Sequence, residues 1–490
     1  MYVKNNPYTI RPILLMFIFF QLNFAYSVKV NLKSTDNQAD YLVITTDNFS
    51  GHLDELLNLR ESQGLNIKTI ITDSIYHQFG DTLSKQDAIK SFVSYALEYW
   101  SDPKPQYLLL VGDVEYVPSY KVQSQFHDTE LNEDSVSIDD QFAINMYEND
   151  HFPDIAIGRL PVTNNQELEN IIEKISLFEN NLKRENYTKD YLGLADFRNN
   201  EYIFEQIQKK LTENILPDYY TYQRIDRRSE SDYYGVKKDI LKILEQGSLF
   251  LYYSGHGSPF IWADTSFLQV DDIESLDPNG LPVIFTAVAC KQSFDIPDSV
   301  TITEALIRKK DGGTVTSFAP SGLAYAYQGS QIMESFFKKL FDKPDQTIGN
   351  IILQVKQEQS IGFAKDDITL RYTLLGDPAL KFPSDIIAGI PEPDPDILTG
   401  FELFQNYPNP FNPKTTIRYS VGAIHESPLQ KINLSIYNIL GQKVVTLVEG
   451  LKSAGTYSVT WSPGDIPSGI YLIRLNSGRF TQTIRTLYIK

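Results

Sequence analysis

Two hydrophobic grammars divide the chain. Up to about residue 384, short unbroken apolar runs alternate with segments whose apolar residues recur every three or four positions. Asp40–Thr46, Leu65–Ile71, Tyr107–Val111 and Asp154–Leu160 have the length and composition of buried strands. Between them, Phe49–Gln63 carries leucines at 53, 56, 57 and 59 and stops at Gly64. Asp87–Trp100 and Asn165–Phe178 likewise gather their apolar residues on one helical face. Pro118–Asn149 has no apolar period and reads as an extended surface loop. The same grammar restarts at Tyr191, with strands at Tyr191–Ala195, Tyr219–Arg224, Leu249–Tyr253, Pro282–Ala289 and Gly313–Phe318. Helices are expected at Glu201–Ile215, Tyr234–Glu245, Thr303–Lys310, Gln331–Phe341 and Ile348–Gln359, and Tyr372–Leu380 closes the body. Strand–helix alternation of this kind predicts an α/β fold with mostly parallel sheets. Two adjacent halves are expected, at about 28–190 and 191–384, sharing a continuous interface.

The grammar changes after Pro391-Glu-Pro-Asp-Pro-Asp. Alternating prolines exclude helix and favour an extended chain, so 385–400 reads as a stiff linker. Beyond it, Ile432–Tyr437, Tyr457–Trp461 and Gly469–Leu475 alternate with period two, punctuated by Gly441, Gly450, Gly455 and Pro463. Residues 401–490 are expected to form a small all-β sandwich. At the other end, Lys4 and Arg11 precede Ile13–Phe20 and then Ala25-Tyr26-Ser27. A charged region, a short apolar core and a small-x-small site predict a signal peptide over 1–27. Its apolar core is too short for a stable membrane span, so no transmembrane helix is expected in the mature chain.

Charge narrows the partners. A net charge of -18 argues against nucleic-acid binding. Residues 401–490 carry nine basic and four acidic side chains, whereas 1–400 carry 35 basic and 58 acidic, so the acidity lies in the body. Such a field favours cationic substrates, or simply keeps an exported body well solvated.

One stretch concentrates the chemistry. The run Leu249–Tyr253 ends in Ser254-Gly255-His256-Gly257, and the run Pro282–Ala289 ends in Cys290, the only cysteine of the chain. In open α/β sheets reacting groups sit just past the carboxyl ends of strands. A thiol with a positioned imidazole is a nucleophile–base pair. Gly257 leaves its backbone open to close approach, so its N–H and that of Cys290 are candidate oxyanion donors. The plainer alternatives are a structural histidine in a glycine turn and an inert buried cysteine. An exported protein with one unpaired thiol favours reactivity. His52, His77, His127 and His425 show no such setting. His151, in Glu148-Asn-Asp-His, is a candidate for a cation site, although no ligand spacing recurs. Neither a glycine-rich phosphate loop nor a G-x-S-x-G elbow is present.

At these residues the sequence resembles a known family. Tyr253-Ser-Gly-His-Gly-Ser with Trp262, Leu281–Phe285 through Ala289-Cys290, Gly312-Gly-Thr-Val and Leu375-Gly-Asp-Pro-Ala-Leu look like gingipain-type peptidases, family C25 of the caspase-like clan. Tyr107–Asp113, Asp140-Gln141, Asn149-Asp-His-Phe and Ile157-Gly-Arg-Leu match in the same order, so the resemblance covers about residues 40–383. It implies a caspase-like catalytic region and hydrolysis of protein or peptide substrates. Cys290 would be the nucleophile, and His256 the histidine that protonates the leaving amine. It places Tyr325 near the primary specificity pocket. It also expects acidic residues within Leu192–Glu205, where Asp196 and Glu201 are the candidates in a shortened segment. No cofactor is implied for the chemistry, and structural calcium is possible. No long pro-domain is expected between signal and body.

Phe404-Gln-Asn-Tyr-Pro-Asn-Pro-Phe-Asn-Pro, Ile436–Val444 and Pro467–Leu475 resemble the type A sorting domain of the type IX secretion system. That implies passage through the periplasm, the secretion machinery as partner, and a destination outside the cell or on the outer-membrane surface. Two alternatives stay open: a sortase-like transpeptidase of the same family, and a non-catalytic surface module on a peptidase scaffold.

Overall fold

The computed structural model describes residues 30–124, 135–147, 152–196, 203–226, 233–263, 267–276, 281–292, 294–296, 299–359, 368–383, 386–387, 402–421, 429–453, 455–477 and 480–490. The signal peptide, Glu201, His127, His151, His425 and the proline-rich part of the linker lie outside the described residues.

Ten strands form one sheet. In chain order they are β1 (Tyr41–Thr45), β2 (Ile67–Ile71), β3 (Tyr107–Val111), β4 (Ala156–Leu160), β5 (Lys189–Ala195), β6 (Tyr222–Asp226), β7 (Ser248–Ser254), β8 (Val283–Val288), β9 (Thr314–Pro320) and β10 (Tyr372–Leu375). Their spatial order is β2-β1-β3-β4-β10-β9-β8-β7-β5-β6. Neighbours are parallel on both sides of a single seam, where β10 runs parallel to β4 and antiparallel to β9. The two halves are therefore two runs of parallel strands of opposite direction, fused edge to edge by the last strand of the body. Every residue of β1, β3, β4, β8, β9 and β10 is buried, which explains why these strands are mostly apolar.

Side-chain alternation gives the sheet two faces. One buries a continuous core that crosses the seam, from Tyr41 and Val43 through Leu109, Leu374 and Ile284 to Phe250 and Tyr252. The other face carries a separate core in each half, around Leu42, Ile44 and Leu108, and around Leu251, Tyr253 and Phe285. Helices α1 (Asp54–Ser62), α2 (Lys85–Tyr99), α3 (Asn165–Asn180), α4 (Ile203–Asn214), α5 (Tyr233–Gln246), α6 (Ile302–Arg308), α7 (Ala326–Asp342) and α8 (Ile348–Gln359) supply the covering layers.

Three expectations need correction. The helix read over Phe49–Gln63 breaks at Gly51-His52 into Asp47–Ser50 and α1. The described residues of Pro118–Asn149 depart from a surface loop: 136–145 are all buried, within a hairpin of Lys121–Gln123 against Ser135–Ser137 and a tight turn at Asp139–Phe142. Buried cations match its acids. Arg159 donates to both oxygens of Asp139 at 2.6 and 2.9 Å, and Lys356 pairs with Asp140. Acids paired this way leave no hydrophobic period. The body also extends into the segment read as linker, because Ile386 and Ile387 are buried and their carbonyls accept from Tyr220.

From Glu402 onward the described elements are antiparallel strands. Glu402–Leu403, Thr415–Val421 and Gly455–Trp461 make one sheet, and Lys443–Ser453, Leu429–Asn438, Gly469–Ser477 and Phe480–Tyr488 the other. Leu403, Phe411, Ile417, Leu434, Trp461 and Ile473 help to fill the core between them.

Candidate active site

The site is built where β5, β7, β8 and β9 end. Val288 pairs with Ser254, and Ser254 with Ala195, in parallel register. Cys290 and His256 therefore each lie two residues beyond a matched pair, and Asp196 lies one residue beyond. Hydrogen bonds carry the register past the strands: Asp196 N–H donates to Ser254 O at 2.9 Å, and Gly255 N–H to Val288 O at 3.0 Å.

His256 is fixed through its backbone. Its N–H donates to Asp196 Oδ2 at 3.4 Å. Its carbonyl accepts from the Tyr253 hydroxyl and, at 2.8 Å, from Ala263 N–H. The imidazole stands edge-on to Phe204 of α4, with ring centres 5.3 Å apart. Among the described residues neither ring nitrogen has a hydrogen-bond partner, which leaves both for chemistry. The loop after His256 is folded back by Trp262, stacked between Tyr253 at 4.8 Å and Phe285 at 5.1 Å.

Cys290 is half-buried, and its thiol donates to Ala324 O at 3.6 Å. The loop after β9 closes over it, as Lys291 N–H donates to Gly322 O and Gln292 N–H to Pro320 O. Tyr325 follows Ala324 directly at the head of α7 and is 59% exposed. Gly257 faces Trp262 across a single antiparallel bridge. The bonds of that bridge come from its neighbours, Ser258 N–H and Ala263 N–H, so Gly257 N–H has no acceptor among the described residues. A Cβ on Gly257 would lie 3.3 Å from Cys290 O, so the two candidate oxyanion donors sit on touching segments.

Strain gathers here too. The described non-glycine residues with positive φ are Ala263, Lys291 and Asp295, all in these two loops. Asp295 ties the Cys290 loop to the first half through Ser119 and Lys121, each at 2.7 Å. On α6, Arg308 reaches Asp113 at 2.6 Å and Glu304 at 3.1 Å, and burial pushes the Glu304 carboxyl up to about 7.

Sequence reasoning missed Gln292. It is fully buried and its amide donates to Cys290 O at 2.8 Å and to Ser258 O at 3.0 Å. It belongs to no periodic element, and its place two residues past the cysteine was the only signal. Asp196 was found, but its carboxylate meets the backbone of His256, not the ring. His52 pairs with Glu169 at 3.0 Å on the surface. A cleft of about 640 Å³ lies along Gln331–Asp342 of α7 and contains none of the site residues. Among the described residues no group of three His, Cys, Asp or Glu could hold a metal ion. No described helix is long and apolar enough to cross a membrane.

Comparison with known proteins gives this geometry a family. Residues 34–383 match the model of peptidase family C25, and 405–490 match that of a secretion system C-terminal sorting domain. Gingipain R2 of Porphyromonas gingivalis is 23% identical over 445 residues, covering 85% of this chain and 57% of the relative. Lys-gingipain of the same organism is 25% identical over 296 residues, covering 59% and 15%. The chain thus spans about half the length of the first relative and less of the second. Among solved structures, the Arg specific cysteine proteinase gingipain R superposes with a TM-score of 0.59 at 17% identity, over 93% of this chain and 99% of that one. The complex of Porphyromonas gingivalis RgpB pro- and mature domains gives 0.60 at 17% identity, over 92% and 100%. At that identity the likeness is one of fold. The match over most of its length places the chain in peptidase family C25, as a gingipain-type member that ends in a secretion-system sorting domain.

Proposed function

We propose that this protein is an exported cysteine endopeptidase in which Cys290 attacks the peptide carbonyl and His256 moves the protons. The observation that carries the reading is the register. A thiol and an imidazole stand equally far past adjacent, paired strand ends, beside a glycine whose N–H is free among the described residues. In the first step the Cys290 thiol gives its proton to His256, Sγ bonds to the carbonyl carbon, and the carbonyl π pair moves onto the oxygen, whose negative charge faces the N–H groups of Gly257 and Cys290. His256 then gives a proton to the amine, which leaves, and a thioester remains on Cys290. Water attacks the thioester with His256 accepting its proton. The acid forms and the thiol is restored.

Fluorogenic peptides varied at the residue before the scissile bond test this. Wild-type protein is expected to hydrolyse a subset, and Cys290→Ala none while keeping its fold. Hydrolysis by folded Cys290→Ala would refute the assignment. The acidic body favours basic side chains at that position. Export through the sorting domain is read from its match. Deleting residues 401–490 is expected to leave the rest in the periplasm, and normal appearance of the truncated protein outside the cell would refute it.

A further inference from the structure

We propose that Gln292 is the positioning residue of this site, an amide clamp that sets the spacing between the Gly257 and Cys290 N–H groups. The inference rests on the cysteine-peptidase reading above. A single Nε2 donates to carbonyls on two different loops, Cys290 O at 2.8 Å after β8 and Ser258 O at 3.0 Å after β7. The Gln292 backbone is itself held on both sides. Its N–H donates to Pro320 O at the end of β9, and its carbonyl accepts from Thr303 Oγ1 in α6. Four segments therefore meet at one residue with no exposed surface.

The amide has only one workable orientation. Turned over, Oε1 would face two carbonyl oxygens and both bonds would become repulsions. In the observed orientation Oε1 is buried with no hydrogen-bond partner among the described residues. A buried orphan acceptor costs stability, so the side chain is held here for its N–H groups. Gly257 is pressed against it, since a Cβ at that position would fall 2.3 Å from Nε2. The two oxyanion donors are thus kept apart by the width of one amide group. Oxyanion donors work only within about 2.7–3.1 Å of the developing charge, so a clamp of this kind acts on rate more than on substrate affinity.

The test compares wild type, Gln292→Met and Gln292→Asn. Methionine keeps the length and removes both donors, whereas asparagine keeps an amide too short to reach both carbonyls. Three quantities are measured: kcat and KM on a fluorogenic peptide, affinity for a peptide aldehyde, and the rate of Cys290 alkylation by iodoacetamide. In the aldehyde adduct Sγ bonds to the carbonyl carbon and the thiol proton passes to its oxygen, which needs the oxyanion donors. Alkylation forms an S–C bond and releases iodide and a proton, and needs only the thiol and its base. Gln292→Met is expected to lower kcat by about 30- to 100-fold and weaken the aldehyde by a similar factor, with KM and alkylation within about threefold of wild type. Gln292→Asn is expected to fall between. Unaltered kcat and aldehyde affinity in a folded variant overturn the clamp, as does an equal loss of alkylation, which would mark general collapse of the site. If the methionine variant does not fold, the asparagine variant is judged by the same criteria. An active wild type with an unaffected variant removes the clamp alone. A wild type that neither cleaves peptides nor binds the aldehyde removes the peptidase reading and the clamp with it.

Discussion

Gly257→Ala perturbs the site by a single methyl group. Gly257 does not use a left-handed backbone, so the chain itself accepts alanine. The space does not. The new Cβ would lie 2.3 Å from Nε2 and 3.1 Å from Cδ of Gln292, and 3.3 Å from Cys290 O. Carbon contacts relax at about 3.5–4.0 Å, so the two loops must part by roughly 1 Å. Moving the Gln292 amide breaks two hydrogen bonds at about 0.5–1.5 kcal/mol each, for a stability loss of about 1–3 kcal/mol. The larger effect falls on rate. Removing one oxyanion donor costs about 100- to 1,000-fold in kcat, or about 2.7–4 kcal/mol of barrier. Steady-state kinetics, corrected by titrating active thiol, separate this from unfolding, and urea denaturation gives the stability change. A folded variant with wild-type kcat would refute both the donor role of Gly257 and the tightness of its contact.

Two further outcomes concern buried charge. Arg159→Met leaves the Asp139 carboxylate buried without its partner and removes the donor to Gly112 O and Val117 O; a loss of about 3–5 kcal/mol is expected in urea unfolding, and an unchanged midpoint would contradict it. Lys174 is buried with Nζ donating to Ile307 O at 2.6 Å, and desolvation lowers its pKa from 10.5 to about 7. Between those values the unfolded chain binds the proton and the folded chain does not, so wild-type stability contains a contribution that falls as pH drops from about 10 to 7. The depression corresponds to roughly 5 kcal/mol at its full extent. Lys174→Met is expected to flatten that slope and to be more stable than wild type near pH 7, and parallel stability–pH curves for the two proteins would count against it.

Legibility in the sequence followed the physics of each element. Strands buried on both faces are mostly apolar, so β3, β7 and β8 stand out, and with them the thiol and imidazole at the ends of β8 and β7. That these two strand ends are neighbours opening on one crevice follows from the open-sheet rule, whereas the register that sets Cys290 and His256 equally far past a matched pair was not visible, because it depends on contacts far apart in sequence. Segment 136–145 was misread because Asp139 and Asp140 look solvated until Arg159 and Lys356 are brought beside them. The seam was hidden for a similar reason. Tyr372–Leu380 reads as the close of the body, and nothing local says that Tyr372–Leu375 enters the middle of the sheet. Gln292 was invisible because an amide in a loop is ordinary until two carbonyls converge on it.

The interior position of β10 has a consequence for how the molecule comes into being. Until Tyr372–Leu375 arrives, β4 and β9 are both open edges, each able to pair wrongly with another chain. The two halves are then joined by a pairing between Arg159 and Leu375, segments that lie far apart in sequence, and non-local pairings of this kind slow folding as a class. The loop that follows β9 supplies the carbonyls that hold Cys290 and Lys291. Its anchor, Ser321, is bonded to Arg371 immediately before β10. The surroundings of the Cys290 thiol therefore depend on nearly the whole length of the body. A chain that stops short of β10 carries Cys290 without the Ser321–Arg371 bond that anchors the loop over it.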